Sequence, residues 1–290
     1  GRQSWQKVGR VDLPVVAQGA QAVRAQLAAL AGSGCGSAII DAVFERDLET
    51  MGEVALPLGL STGASGLGLG LARALLATGQ VAPRGADVSD LLEGVRGPAA
   101  IVAGSCSAAT LEQVAVAEGL MPVRHLSAER IVLSGGDEVA DALAWARAHL
   151  ENGPVLIAAS DTPRRVAALQ ETFGRAAVSH AVERATSEIS QGLVEAGVRR
   201  LIIAGGETSG ASVDRLKLPA FQVGPEIAPG VPVLRVAGGS GEPLLLALKS
   251  GNFGGRYFFA DALRAMGAWN GASDAAAARH VASPPPPPSQ

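Results

Sequence analysis

Hydrophobic positions along the chain follow two alternating patterns. Short runs of β-branched and aliphatic residues alternate with longer stretches whose apolar positions recur three and four apart, the signature of an α/β fold. In the first part, strands are expected over 11–16 and 37–40, and helices over 21–30, 46–53 and 67–77. From 80 to 97 the chain turns polar, carries Pro83 and Gly85 and offers no strand. Beyond it the alternation is cleaner, with extended segments expected at 99–103, 130–133, 155–159, 201–204, 221–223, 233–236 and 244–248. Helices are expected between them at 108–118, 139–151, 162–173 and 176–196, and then at 258–266.

Four of these strands run into loops of small and hydroxylated residues. Residues 99–103 lead into Gly104-Ser-Cys-Ser-Ala-Ala-Thr110, and 155–159 into Ser160-Asp-Thr-Pro163. Residues 201–204 lead into Gly205-Gly-Glu-Thr-Ser-Gly-Ala211, and 244–248 into Lys249-Ser-Gly-Asn-Phe-Gly-Gly255. In a parallel sheet such loops gather at the carboxyl edge, where ligands sit. Small residues let the backbone approach a polyphosphate, and N–H groups at helix starts point at the anion. One such loop is what any tight βα turn requires; four together indicate a nucleotide or phosphate site. Glu207 could reach a Mg²⁺ on a bound nucleotide or simply cap its helix. Cys106 at a helix start reads as an activated nucleophile or as a small buried thiol. Asp41 and Asp47 read as metal or hydroxyl ligands or as solvated carboxylates at a helix start.

Two familiar phosphate motifs are excluded. Leu248 stands where a Walker A loop needs glycine, and Gly66-Leu-Gly68-Leu-Gly70 departs from the dinucleotide spacing.

Composition adds a few exclusions. A net charge of −3 carries no basic field, so neither nucleic acid nor a membrane surface is an expected partner. The two cysteines, Cys35 and Cys106, are too few for a disulfide scaffold and form no metal-spaced cluster with the four histidines. No apolar run approaches the roughly 20 residues that span a bilayer, and the first ten residues hold no apolar signal core, so the cytoplasm is the expected compartment. Basic residues are 21 arginines against three lysines, Lys7, Lys217 and Lys249. A lysine that survives such a bias marks a site needing a compact ammonium, and Lys249 is read as a point charge able to follow a phosphoryl group.

At these loops the wording resembles the four-carbon acid sugar kinases, most closely the 3-oxo-tetronate kinase branch. The resemblance rests on GSCSAATLEQV, AGGETSGA, GPEIAPGVPV and LALKSGNFGGRYFF, in this order, and extends over about residues 1–268. It implies an ATP-dependent, Mg²⁺-assisted phosphotransferase acting on the terminal hydroxyl of 3-oxo-tetronate, with D-threonate or D-erythronate as the alternative substrate. Carried over by position, the nucleotide contacts fall on Ser105, Ser107, Gly205, Gly206, Glu207, Thr208 and Gly251, with Lys249 and Asn252 as neighbours. Tyr257 departs from the acidic residue that the family commonly places there.

The resemblance also implies two three-layer α/β domains. The first, an acid-sugar domain, would be incomplete here and occupy 1–80; a linker would cover 81–97, a nucleotide domain 98–268, and a disordered tail 269–290. The family opens on an Asp-Asp-x-Thr-Gly motif expected to bind the acid sugar and hold the catalytic base, and this sequence has no Asp-Asp pair. Catalytic residues are therefore expected outside this sequence, and weak nucleotide binding with poor or no turnover is expected of it alone. An inactive nucleotide-binding fragment is the other reading, and a homodimer is the candidate assembly.

Overall fold

A computed structural model describes residues 4–83, 91–159, 163–238 and 242–269, and the expected tail from Asn270 onward lies outside the described residues. The chain divides into two compact units, Gly1–Gly85 and Ala86–Gln290.

The first unit pairs β1 (Val8–Val11) in parallel with β2 (Ser37–Ile40). Helices α1 (Leu13–Val16), α2 (Ala20–Gly32), α3 (Glu45–Ala55) and α4 (Ser65–Ala77) complete it. Its core is small: Val11, Val16, Val23 and Val54, with Leu27, Leu30 and Ile40 against them. One sheet face meets α2, while Ile39 on the other face is 63% exposed. The strand expected over 11–16 stops at Val11. Pro14 is the cause: it cannot donate to a ladder, and its fixed φ suits the first turn of α1.

The second unit is a three-layer α/β domain on a seven-stranded sheet in the order β4-β5-β3-β6-β9-β8-β7. Its strands are β3 (Ala99–Ala103), β4 (Val123–His125), β5 (Val155–Ala158), β6 (Arg200–Ala204), β7 (Ala220–Ala228), β8 (Val231–Ala237) and β9 (Leu245–Lys249). The first five in spatial order are parallel; β8 and β7 are antiparallel additions at one edge. Its helices are α5 (Ala108–Glu118), α6 (Ala128–His149), α7 (Pro163–Phe173), α8 (Arg175–Glu195), α9 (Gly206–Leu216) and α10 (Phe258–Ala265).

Alternation along the strands sets the layers. Ala99, Ile101 and Ala103 of β3 face a core shared with α5 and α10. Ala100 and Val102 face the opposite core, shared with α6 and α8. Leu91 and Val95 belong to the first of these cores, so part of the segment expected as linker already packs on this sheet.

The extended segment expected at 130–133 is helical. Ser127 caps α6 by accepting from Arg130 N (3.2 Å), and the buried Glu138 carboxylate accepts from Ser127 N (3.1 Å) and pairs with Arg130 (2.7 Å). These local contacts outweigh the strand preference of Ile131-Val132. The helix is kinked at Ser134 (φ −147°, ψ 44°), where residues 134–136 read Ser-Gly-Gly.

Candidate functional site

The loops after β3, β6 and β9 stand side by side, because these strands are consecutive in the sheet. Backbone bonds hold their starts together: Gly104 N and Ser105 N donate to Ala204 O (2.9 and 3.2 Å), and Gly205 N donates to Lys249 O (2.8 Å). The connection after β3 leaves towards one face, and those after β5 and β6 leave towards the other. Such a divergence opens a crevice at the carboxyl edge.

That crevice is a cleft of about 450 Å³. Gly104, Ser105 and Cys106 form one side, and Gly205, Gly206, Glu207 and Thr208 form the floor at the start of α9. Val166, Leu169, Val178 and Val182 of α7 and α8 supply an apolar wall, with Arg175 and Glu183 among them. A polar floor of backbone N–H groups and an apolar wall together suit a ligand that is anionic at one end and flat and apolar at the other. Gly205 enters α9 at φ +133°, a conformation that glycine adopts without strain. The Ser160-Asp-Thr part of the fourth expected loop lies outside the described residues.

The remaining expected residues are arranged differently. Ser107 caps α5 by accepting from Thr110 N (3.2 Å), and its hydroxyl donates to Gly251 O (2.7 Å). Thr110 Oγ1 also lies 2.9 Å from Gly251 O. Gln113, one turn further along α5, directs its amide nitrogen at the carbonyls of Phe253, Gly254 and Gly255 (3.0–3.1 Å). The 250–255 loop is thus tied to α5 through its own carbonyls. Asn252 is exposed. Neither Thr110, named only as the end of its loop, nor Gln113 is among the expected nucleotide contacts, although two buried polar residues on the apolar face of α5 are a signal that the pattern carries.

Lys249 does not line the cleft. Its side chain is 1% exposed, and Nζ donates to Gly251 O (2.8 Å), Thr110 Oγ1 (3.0 Å) and Ser250 O (3.2 Å). A flexible arm following a transferring phosphoryl group is not what these contacts describe. Desolvation lowers its pKa from 10.5 to about 8. Between those values the unfolded chain binds more protons than the folded one, so stability rises with pH across the window, and below it the cost of the buried charge is felt in full. Melting curves from pH 7 to 10 should therefore show wild type gaining on Lys249→Met as pH rises; parallel curves would contradict the burial of this charge.

Asp47 is buried and accepts from Phe44 N (2.8 Å) and Val43 N (3.0 Å), contacts that hold its carboxyl below the usual range and fix the start of α3. Asp41 is exposed. Cys106 lines the cleft, and neither it nor Cys35 is in a disulfide. Among the described residues no three His, Cys, Asp or Glu side chains gather as a metal site, and no helix is long and apolar enough to cross a membrane.

Two family models match the chain: a nucleotide-binding C-terminal domain over residues 100–259 and a sugar-binding N-terminal domain over residues 1–71. A 3-oxo-tetronate kinase from Methylobacterium radiotolerans is 58% identical over 266 residues, covering 92% of this chain and 62% of that protein. The chain belongs to the four-carbon acid sugar kinase family. A second family member of the same name, from Cupriavidus necator, is 43% identical over 269 residues, covering 92% of this chain and 60% of that one. A solved structure from Salmonella typhimurium LT2 superposes with a TM-score of 0.72 at 36% identity, covering 90% of this chain and 60% of its own. Another from Haemophilus influenzae gives 0.65 at 32%, covering 90% of this chain and 61% of its own. The chain spans about 60% of the length of the curated relatives it matches. The described residues that line the cleft fall in the unit that carries the nucleotide-binding domain.

Proposed function

We propose that this chain supplies the nucleotide half of an ATP-dependent kinase that phosphorylates the terminal hydroxyl of 3-oxo-tetronate, giving the 4-phosphate. The observation that carries the reading is the cleft at the carboxyl edge, where Ser105, Gly205, Gly206, Glu207 and Thr208 converge within the matched nucleotide-binding domain. The phosphates would lie over the Ser105 turn and the start of α9, whose unpaired N–H groups favour negative charge. The base would lie against Val166, Leu169, Val178 and Val182. Gly251, Ser107, Lys249 and Asn252 would contribute through the neighbouring loop.

The cleft also suits Mg²⁺ carried on the nucleotide. Among the described residues Glu207 and Glu183 are the carboxylates on its lining, and an ion carried on the nucleotide would keep phosphate oxygens and water among its ligands. When bound, Mg²⁺ neutralises charge on the phosphates. The chain's part is to orient the polyphosphate and exclude water from it, the positioning on which phosphoryl transfer depends. The substrate assignment rests on the names of the relatives, and D-threonate and D-erythronate are the competing acceptors. A panel of the three acids with ATP, run on a longer form that adds the family's Asp-Asp-x-Thr-Gly segment and followed by ADP release, tests it. Preferred turnover of 3-oxo-tetronate supports the reading, and preference for either aldonate moves the assignment to that acid.

Nucleotide binding can be tested without turnover. Cys106 lines the cleft and Cys35 belongs to the other unit. Millimolar ATP should slow alkylation of Cys106 at least about tenfold, the occupancy effect expected when ligand exceeds its Kd by that factor, while Cys35 reacts at an unchanged rate. Equal rates at Cys106 with and without ATP would remove the cleft as the nucleotide site.

A further inference from the structure

The Lys249 ammonium is buried, yet all three of its acceptors are neutral: one hydroxyl and two carbonyl oxygens. The ring of Phe258 lies 5.9 Å from Nζ and closes the apolar side of its surroundings. A charge removed from water normally has a counter-charge, since neutral dipoles recover only part of the lost hydration. Here, among the described residues, no carboxylate pairs with it.

Its position gives that charge a direction. Gly251 O accepts from Lys249 Nζ and lies within hydrogen-bonding distance of the Ser107 and Thr110 hydroxyls, so the carbonyl is held on the Lys249 side of the loop. The Cα of Gly251 packs so closely on Ser105 that a Cβ there would overlap the Ser105 hydroxyl. Ser105 lines the cleft. Lys249 therefore sits behind the phosphate end of the proposed site, one loop removed from it.

We propose that Lys249 is a positioning residue of the anion site: its ammonium fixes the Gly251 loop against Ser105 and holds a positive charge whose counter-ion is the phosphate chain of the bound nucleotide. The inference rests on the nucleotide reading of the cleft and adds a specific consequence. Affinity for phosphates depends on Lys249, and affinity for the nucleoside does not. A residue needed only for packing would affect both alike.

Titration calorimetry with adenosine, ADP and ATP on wild type, Lys249→Met and Lys249→Arg reads this directly. For Lys249→Met the expected loss is about 10-fold for ADP and about 30-fold for ATP, with adenosine within about twofold, in line with a charge acting through a low-dielectric loop. Lys249→Arg, which keeps the charge, should recover part of the ATP affinity. Equal losses for all three ligands, or none, overturn the proposal. Should the variants fail to fold, lysine-selective NMR on wild type serves instead, because only three lysines are present. The Lys249 resonance should shift with ADP and ATP but not with adenosine; a shift common to all three, or absent with ATP, overturns the proposal equally. Wild type binding neither adenosine nor ATP would instead remove the nucleotide reading itself.

Discussion

Gly251→Ala should lower ATP affinity about 10- to 100-fold, one of the largest effects open to a single methyl group beside the proposed nucleotide cleft. The added Cβ would overlap the Ser105 hydroxyl and stand 3.0 Å from Ser107 Oγ and 3.2 Å from Ser107 Cβ. Ser105 could rotate away, but Ser107 is held by its bonds to Gly251 O and Thr110 N, and its Cβ belongs to the helix start. The 250–255 loop must then move off the β3 turn, carrying its carbonyl away from Lys249. Titration with ATP checks this against Asn252→Ala, which alters an exposed side chain of the same loop and should change affinity less. A Gly251→Ala protein that binds ATP like wild type would mean that the close approach of these two loops has no part in the site.

Gly70→Ala should destabilise the first unit by about 3 kcal/mol, the upper part of the range for overpacking. Helices α3 and α4 cross where Gly52 meets Gly70. A Cβ on Gly70 would overlap the carbonyl oxygen of Leu48 and lie 2.8 Å from its carbon, and a Cβ on Gly52 would overlap Gly70 O. These obstacles are backbone atoms, so no side-chain rotation relieves the contact and the helices must separate. With a core cluster that, among the described residues, centres on four buried valines, this unit has little to lose before it unfolds. Hydrogen exchange followed by mass spectrometry should show faster exchange over 45–77 in the variant, with the strands of the second unit unchanged. Protection equal to wild type over 45–77 would show that the helices can separate cheaply.

Why some expectations matched the fold and others did not follows from how far each contact reaches along the chain. The β3, β6 and β9 runs are apolar on both faces, because each strand is covered on both sides, and such runs stand out locally. The strand over 11–16 was misleading because Val15-Val16 continues an apolar run that Pro14 has already turned into a helix. The segment 130–133 misled for the opposite reason: Glu138, eight residues beyond Arg130, closes the helix start. Strand β4, three residues long, carries too little pattern to be seen, and the antiparallel direction of β7 and β8 depends on a turn rather than on composition.

For the proposed site, residue types alone marked the loops: glycine, serine and threonine after buried strands are what a close backbone approach to an anion requires. What they could not indicate was which loops become neighbours, because sheet order places β9, some 150 residues after β3, two strands away from it. The apolar wall from α7 and α8 was hidden for the same reason, since Val166 and Val178 look like any other helix positions until the sheet brings them over the cleft. Lys249 shows the division most clearly. Its rarity marked it, but only the folded arrangement turns its side chain inward onto neutral oxygens, out of water and one loop removed from the cleft.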